Sequence, residues 1–197
     1  MIFYVFINKK VMKKILFLFV LTSFIGYSQQ NIDISKSFVK WTGSQISGKS
    51  HFGTLNFKSA KLKFIKGDLV GGNFIVDMMS MSVDDLTGRG KKSLEGHLMS
   101  DDFFSVNDFS TSSLTLNNVK KVSSDEFNAV GSLTIKGITH DVSVKFFRNL
   151  INQSMSAILT FDRSKYDVKY GSGSFFENLG DKLILDEIEL EVTLYMI

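Results

Sequence analysis

The sequence predicts an all-β protein of antiparallel strands with one short helical insertion, and three observations lead there. Apolar and polar residues alternate through most of the chain after the first thirty residues. Turn signals such as Lys66-Gly67-Asp68 and Lys136-Gly137 separate the alternating runs. A single segment, 91–99, switches to the four-residue spacing of a helix.

The N-terminal segment reads as a leader rather than as part of the fold. Lys13-Lys14, the apolar run Ile15 to Ile25, and Gly26-Tyr27-Ser28 form a charged region, a hydrophobic core and a small-residue cleavage site. The apolar run is too short for a bilayer span of ~20 residues, which makes a transmembrane anchor the weaker alternative. The expected organisation is therefore a signal peptide over 1–28, cleaved after Ser28, and one domain over 29–197. Met12 begins a more conventional leader than Met1, which marks residues 1–11 as an over-extended gene start. Export is the expected consequence, to the periplasm or beyond the cell.

The strands follow in order. Leu55, Phe57, Leu62 and Phe64 mark a long strand over 53–65, and 69–82 continues after the Lys66-Gly67-Asp68 turn. Strands over 113–122 and 126–135 flank a Ser123-Ser124-Asp125 turn, followed by 138–150 and 155–162. At the C-terminus Ile184, Ile188, Leu190, Val192 and Leu194 share one face opposite Glu187, Glu189, Glu191 and Thr193. The hairpin around Lys136-Gly137 is the most explicit. A two- or four-residue loop opposes Ile135 to Ile138, Leu133 to His140, Gly131 to Val142, Ala129 to Val144 and Phe127 to Phe146. That register keeps one apolar face, whereas a one-residue slip would mix the faces. Leu94 and Leu98 place 91–99 on a helix. Ser100 before Asp101-Asp102 reads as the N-cap of a second short helix through Phe103-Phe104. Such strands must pack sheet on sheet or close into a barrel, and periodicity does not choose between the two.

Composition narrows the chemistry. The leader carries Lys9, Lys10, Lys13 and Lys14 and no acid, so the formal net charge falls from +3 to −1 once it is removed. The three arginines are scattered, which argues against nucleic acid as a partner. Absence of Cys excludes disulfides, thiol catalysis and cysteine-ligated metal. Of 19 Phe, 14 follow the leader, enough to fill a core or to line a cavity. His51, His97 and His140 stand in neither an HxH nor an HExxH spacing, so no metal is expected. There is no GxSxG elbow or phosphate loop, and Asp162-Arg163 reads as a structural ion pair. No catalytic residues are assigned. Gly131, without a side chain on an apolar face, marks either a ligand's close approach or a bend needed for closure.

The hairpin GSLTIKGITHDV (131–142) resembles the hallmark of the YceI-like family of periplasmic lipid-binding β-barrels. GKSHFGTLNF (48–57), GGNFIVDMMSMSVDDL (71–86), KSLEGHLMSDDFFSV (92–106) and FDRSKYDVKYGSG (161–173) are similar to family segments in the same order. The resemblance spans roughly 32–197. One departure is Asn107-Asp108-Phe109-Ser110, where relatives place a Pro; a looser exit from that turn is expected. The resemblance implies a lipocalin-like barrel of about eight strands with a short helical lid. It also implies a hydrophobic channel for an isoprenoid or other long-chain amphipathic lipid, with no cofactor and with transient membrane contact. The inward faces then make Phe57, Phe74, Leu133, Ile135, Val142, Val144, Phe146, Ile188, Leu190 and Val192 the expected cavity lining. Leu94, His97, Leu98, Phe103, Phe104 and His140 are expected at the lid or mouth. A filled barrel serving as an envelope interaction module, and a metal-dependent enzyme on a lipid-like substrate, stand as alternatives.

Overall fold

A computed structural model describes residues 27–197. Nearly all of the expected leader lies outside the described residues. The strands are β1 (Tyr27–Asn31), β2 (Phe38–Gln45), β3 (Ser50–Ile65), β4 (Asp68–Val83), β5 (Thr111–Lys121), β6 (Glu126–Ile135), β7 (Ile138–Asn149), β8 (Ser154–Asp162) and β9 (Ile184–Tyr195). One helix, α1 (Gly88–Met99), lies between β4 and β5. Every strand pairing is antiparallel. β2 to β9 form a closed ring of eight, because β9 pairs with β2 and β3 with β4. β1 runs along the far end of β3, Tyr27 opposite Ile65, beyond the stretch that β2 occupies. The expected cleavage point after Ser28 falls inside β1.

Turn chemistry sets the register. Lys136 and Gly137 both take positive φ, 49° and 74°, and Lys66-Gly67 repeats this at 50° and 86°. Two consecutive residues in that region make the tight turn whose twist suits a hairpin. All five expected pairs, from Ile135–Ile138 to Phe127–Phe146, are formed. Inward positions of β6 are buried in strict alternation, from Phe127 to Ile135.

The two longest strands change phase partway. In β3 the buried positions move from Leu55 and Phe57 to Ala60, Leu62 and Phe64, across a register break between Phe57 and Ser59. In β4 they move from Phe74 and Met78 to Met81 and Val83. There Ser80 Oγ accepts from Asn56 N–H (2.8 Å) and donates to Asp77 O (2.6 Å), closing a bulge. Bulges of this kind bend a strand and let a sheet close upon itself.

One expectation is corrected here. Ser100 ends α1 instead of starting another helix: its N–H and its hydroxyl (2.7 Å) both satisfy His97 O, and Asp101–Phe104 form turns. The exit after Phe104 is tied by Ser105, which at positive φ accepts from both Asp108 and Phe109 N–H through its carbonyl. Of the two readings of Gly131, the packing favours close approach of a neighbouring strand over that of a ligand. A Cβ there would sit 2.9 Å from both Thr115 O and Leu114 Cδ1, because β5 approaches closely at its own bulge between Leu116 and Asn118.

The barrel interior divides along its axis. Leu62, Phe64, Leu69, Phe127, Met155 and Leu194 are buried and fill the end bearing the Lys66-Gly67 turn. Arg148 ties the turns there, donating to Gly67 O (2.6 Å) and to Ser124 O, with its guanidinium 5.3 Å from the Phe127 ring. The other half is hollow.

Candidate functional site

The hollow half holds a cavity of about 290 Å³. This lies at the lower end of the usual range for small-molecule sites. Its walls come from every strand of the ring, because each presents alternate residues inward. β2 gives Val39 and Trp41, β3 Leu55 and Phe57, β4 Phe74, Val76, Met78 and Met81, and β5 Leu114. β6 gives Leu133 and Ile135, β7 Val144 and Phe146, β8 Ala157, Leu159 and Phe161, and β9 Ile184, Ile188, Leu190 and Val192. Rings of Phe57, Phe74 and Phe146 meet at centroid distances of 6.2 and 6.5 Å along one side. Nine of the ten expected lining residues are thus brought together. Val142 is not among them: it packs half-buried against the core, opposite Gly131.

The lid is α1 with the turn that follows it. Leu94, His97 and Leu98 face the cavity from one side of the helix, and Phe103 and Phe104 follow from the turn. Glu95 fastens the helix to the barrel by accepting from Val83 N–H (3.0 Å). Phe109 stands outside, half exposed against the Lys136-Gly137 turn. His140 is the second misplaced residue. Its Nε2 lies 3.0 Å from Lys165 O and its ring rests edge-on against Tyr166, so it packs outside the cavity. The hairpin pattern put it on the apolar face, but the 163–166 turn covers that position from outside.

Polar groups collect at the mouth. His51 Nδ1 is 2.7 Å from Asp85 Oδ2, and Phe52 N–H donates to Asp85 Oδ1 (3.1 Å). Burial pushes the Asp85 carboxyl up, but these hydrogen bonds outweigh it and hold it below its ordinary value. The His97 ring lies edge-on to Tyr170 (4.3 Å between centroids) and to Phe103 (5.2 Å). Lys49, His51, Leu94, His97 and Tyr170 border both the cavity and a wider outer recess of about 460 Å³.

Arg163, expected to pair with its neighbour Asp162, instead organises the segment that carries Tyr170. It is wholly buried, faces Asp186 at 3.2 Å, and donates to the carbonyls of Val168, Tyr170, Ile184 and Leu185. Asp162 caps the following turn through Ser164. Burial pushes the Arg163 guanidinium below its ordinary pKa, and Asp186 and Asp162 oppose that shift. A lone Arg ending an alternating strand was the available signal for this role. Trp41, Met78 and Met81 fall outside the sequence expectation because no strand is predicted over 38–45 and the β4 bulge resets the inward phase; Ala157, Leu159, Phe161 and Tyr170, which it does not single out, also line the cavity. Among the described residues no group of three or more His, Asp or Glu converges as a metal site.

Comparison with known proteins gives one consistent result. The family model for the YceI-like domain matches residues 30–196. A crystal structure of BcnA from Burkholderia cenocepacia is similar at 20% identity and a TM-score of 0.64, covering 83% of this chain and 98% of that one. A structure from Saccharophagus degradans, described as a polyisoprenoid binding domain implicated in plant cell wall breakdown, matches at 13% identity and a TM-score of 0.57. That match covers 87% of this chain and 98% of that one. The Campylobacter jejuni YceI protein matches at 18% identity and a TM-score of 0.54, over 73% and 84% of the two chains. No curated protein sequence matches. With the closed eight-stranded barrel and a family match across almost all of the described chain, the protein belongs to the YceI-like family.

Proposed function

We propose that the protein is an exported, non-enzymatic carrier that holds the hydrocarbon tail of an isoprenoid or similar long-chain amphipathic lipid in the hollow half of its barrel. The observation that carries this reading is the cavity itself, enclosed by side chains of eight strands and capped by Leu94 and Leu98. Each methylene moved from water into such a space contributes ~0.8 kcal/mol, so a tail binds without elaborate polar recognition. The Saccharophagus relative supports the ligand class by its description, and the Lys13-Lys14 leader pattern supports export. The cavity accommodates a tail of modest length.

Trp41, the single tryptophan, borders the cavity and reports its contents directly. Adding farnesol or a C16 fatty alcohol is expected to change Trp41 emission saturably, at about one molecule per chain. Non-denaturing mass spectrometry of protein from its native envelope is expected to show a stoichiometric lipid. Unchanged emission together with a ligand-free mass refutes the carrier and favours the interaction module.

A further inference from the structure

We infer that the rim of the cavity is a membrane-docking surface: Ile46, Tyr170, Phe175 and Phe176 enter the head-group layer of a lipid bilayer, so that cargo passes between membrane and barrel without crossing water. This rests on the reading of the cavity as a lipid site and names the partner of that site. The four side chains are between 44% and 58% exposed. They stand on segments that touch. Ile46, in the β2–β3 turn, donates its N–H to Leu183 O (2.9 Å), and a Cβ on Gly173 would lie 3.1 Å from Leu183 Cδ1. Lys169 Nζ lies 5.5 Å from the centre of the Phe175 ring, and the next residue, Tyr170, borders both the cavity and the outer recess. Single exposed apolar residues need no explanation, but four on linked segments mark an interaction site.

The two phenylalanines are held in place from beneath. Ser172 is wholly buried, its hydroxyl donates to Asp186 Oδ2 (2.9 Å), and Ser174 Oγ donates to the same oxygen (2.7 Å). Phe175 and Phe176 both donate their N–H to Ser172 O, and buried Arg163 anchors Asp186 and Tyr170 O. Two features select a bilayer as the occupant. The group is continuous with the cavity through Tyr170, and the reservoir of a long tail is a membrane, since each methylene lowers its solubility in water. The charges at the rim are balanced: Lys169 pairs with Asp167 (2.8 Å), and Lys182 shares its segment with Glu177 and Asp181. Attraction therefore comes from apolar insertion, with Tyr170 and the long stem of Lys169 suited to the head-group level. The opposite end also exposes Leu150, Ile151 and Ile197, but the packed half of the barrel separates them from the cavity.

The experiment measures co-flotation of the whole protein with phosphatidylcholine vesicles, alongside farnesol titration against Trp41 emission. The unaltered protein is expected to float with the vesicles, and high salt is expected to change its partition by less than about twofold. A half-exposed Phe taken out of water is worth about fivefold, so the double variant Phe175→Ser, Phe176→Ser is expected to lose roughly twenty-five-fold in vesicle partition. Its Tm and farnesol affinity are expected to stay unchanged. Ile46→Ser, on a different segment, is expected to lose about fivefold and keeps the test open should the double variant unfold. Ile151→Ser, at the opposite end, is expected to float as the unaltered protein does. Absence of flotation, equal flotation of the rim variants, or a loss on Ile151→Ser in their place overturns the docking surface. A loss of flotation in high salt overturns apolar insertion. A dimer in sedimentation that the double variant dissociates assigns the surface to a second copy of the chain and overturns the bilayer. Farnesol binding without flotation removes the docking surface alone, whereas flotation without farnesol binding overturns the carrier reading on which it rests.

Discussion

Ala157 is the smallest side chain in the cavity wall, seated on β8 between Phe146 of β7 and Val192 of β9. Replacing it with Leu adds three carbons at a position that borders the hollow. At ~0.8 kcal/mol per buried carbon the gain is at most ~2.4 kcal/mol, an upper bound because the unfolded chain already shields part of that surface. For a domain of this length that corresponds to a Tm rise of about 5–10 °C. The same carbons displace a comparable length of bound tail, so affinity for a C16 alcohol is expected to fall roughly fifty-fold. Differential scanning calorimetry and Trp41 titration measure the two effects on one sample. Opposite signs are the signature of a hollow. A lowered Tm, from the loss of ~1–3 kcal/mol of stability typical of overpacking, would show that the space is already filled, and unchanged affinity would show that the tail lies elsewhere.

Arg163→Ala strips four carbonyls of their donor and Asp186 of its cation; a urea melt is expected to show a loss of about 3–5 kcal/mol, and Arg163→Met a smaller one. Gly131→Ala drives a Cβ against Thr115 O and Leu114; about 1–3 kcal/mol of stability should disappear with no change in tail affinity. Tyr166 is buried with no partner for its hydroxyl among the described residues, and burial, with Asp141 and Asp162, pushes its pKa up to about 12. Because the folded form ionises later than the unfolded one, at 10.0, the contribution is full below pH 10 and is lost as pH rises toward 12. Tyr166→Phe is therefore expected to match or exceed the unaltered protein at pH 7 and to lose less stability above pH 10; an identical alkaline decline in both excludes this origin.

Much of this wall was legible in the residues because one face of each strand is apolar and a register slip would bury its polar side. The 131–142 hairpin and β9 show it most plainly, where inward and outward residues never exchange. Legibility failed where something other than alternation sets the direction of a side chain. Met78 and Met81 face inward on opposite phases because the Ser80 bulge inserts residues that no periodicity announces. Val142 and His140 follow the hairpin's apolar face yet miss the cavity; for His140 it is the contact with Lys165 O and Tyr166 that sets the ring's position. Ser100 carries the composition of a helix start, but an identical hydroxyl closes a helix end when the carbonyl it reaches lies three residues back. Tyr170 sits in a loop held by Arg163 through backbone carbonyls, a relation that leaves no mark on local sequence.

The ring is a meander: from β2 to β9 each strand lies beside the next in the chain, and only β2 against β9 joins distant residues. Neighbouring strands can zip as they emerge, at little loop-closure cost, whereas that last joint waits for both extremities of the sheet to meet. The β2–β9 line is also interrupted between Gly43 and Gln45, at the lidded end. Pulled from its ends, the cylinder would part along this line first and unroll into a flat ribbon, so mechanical strength is governed by a handful of ladder bonds rather than by the whole wall.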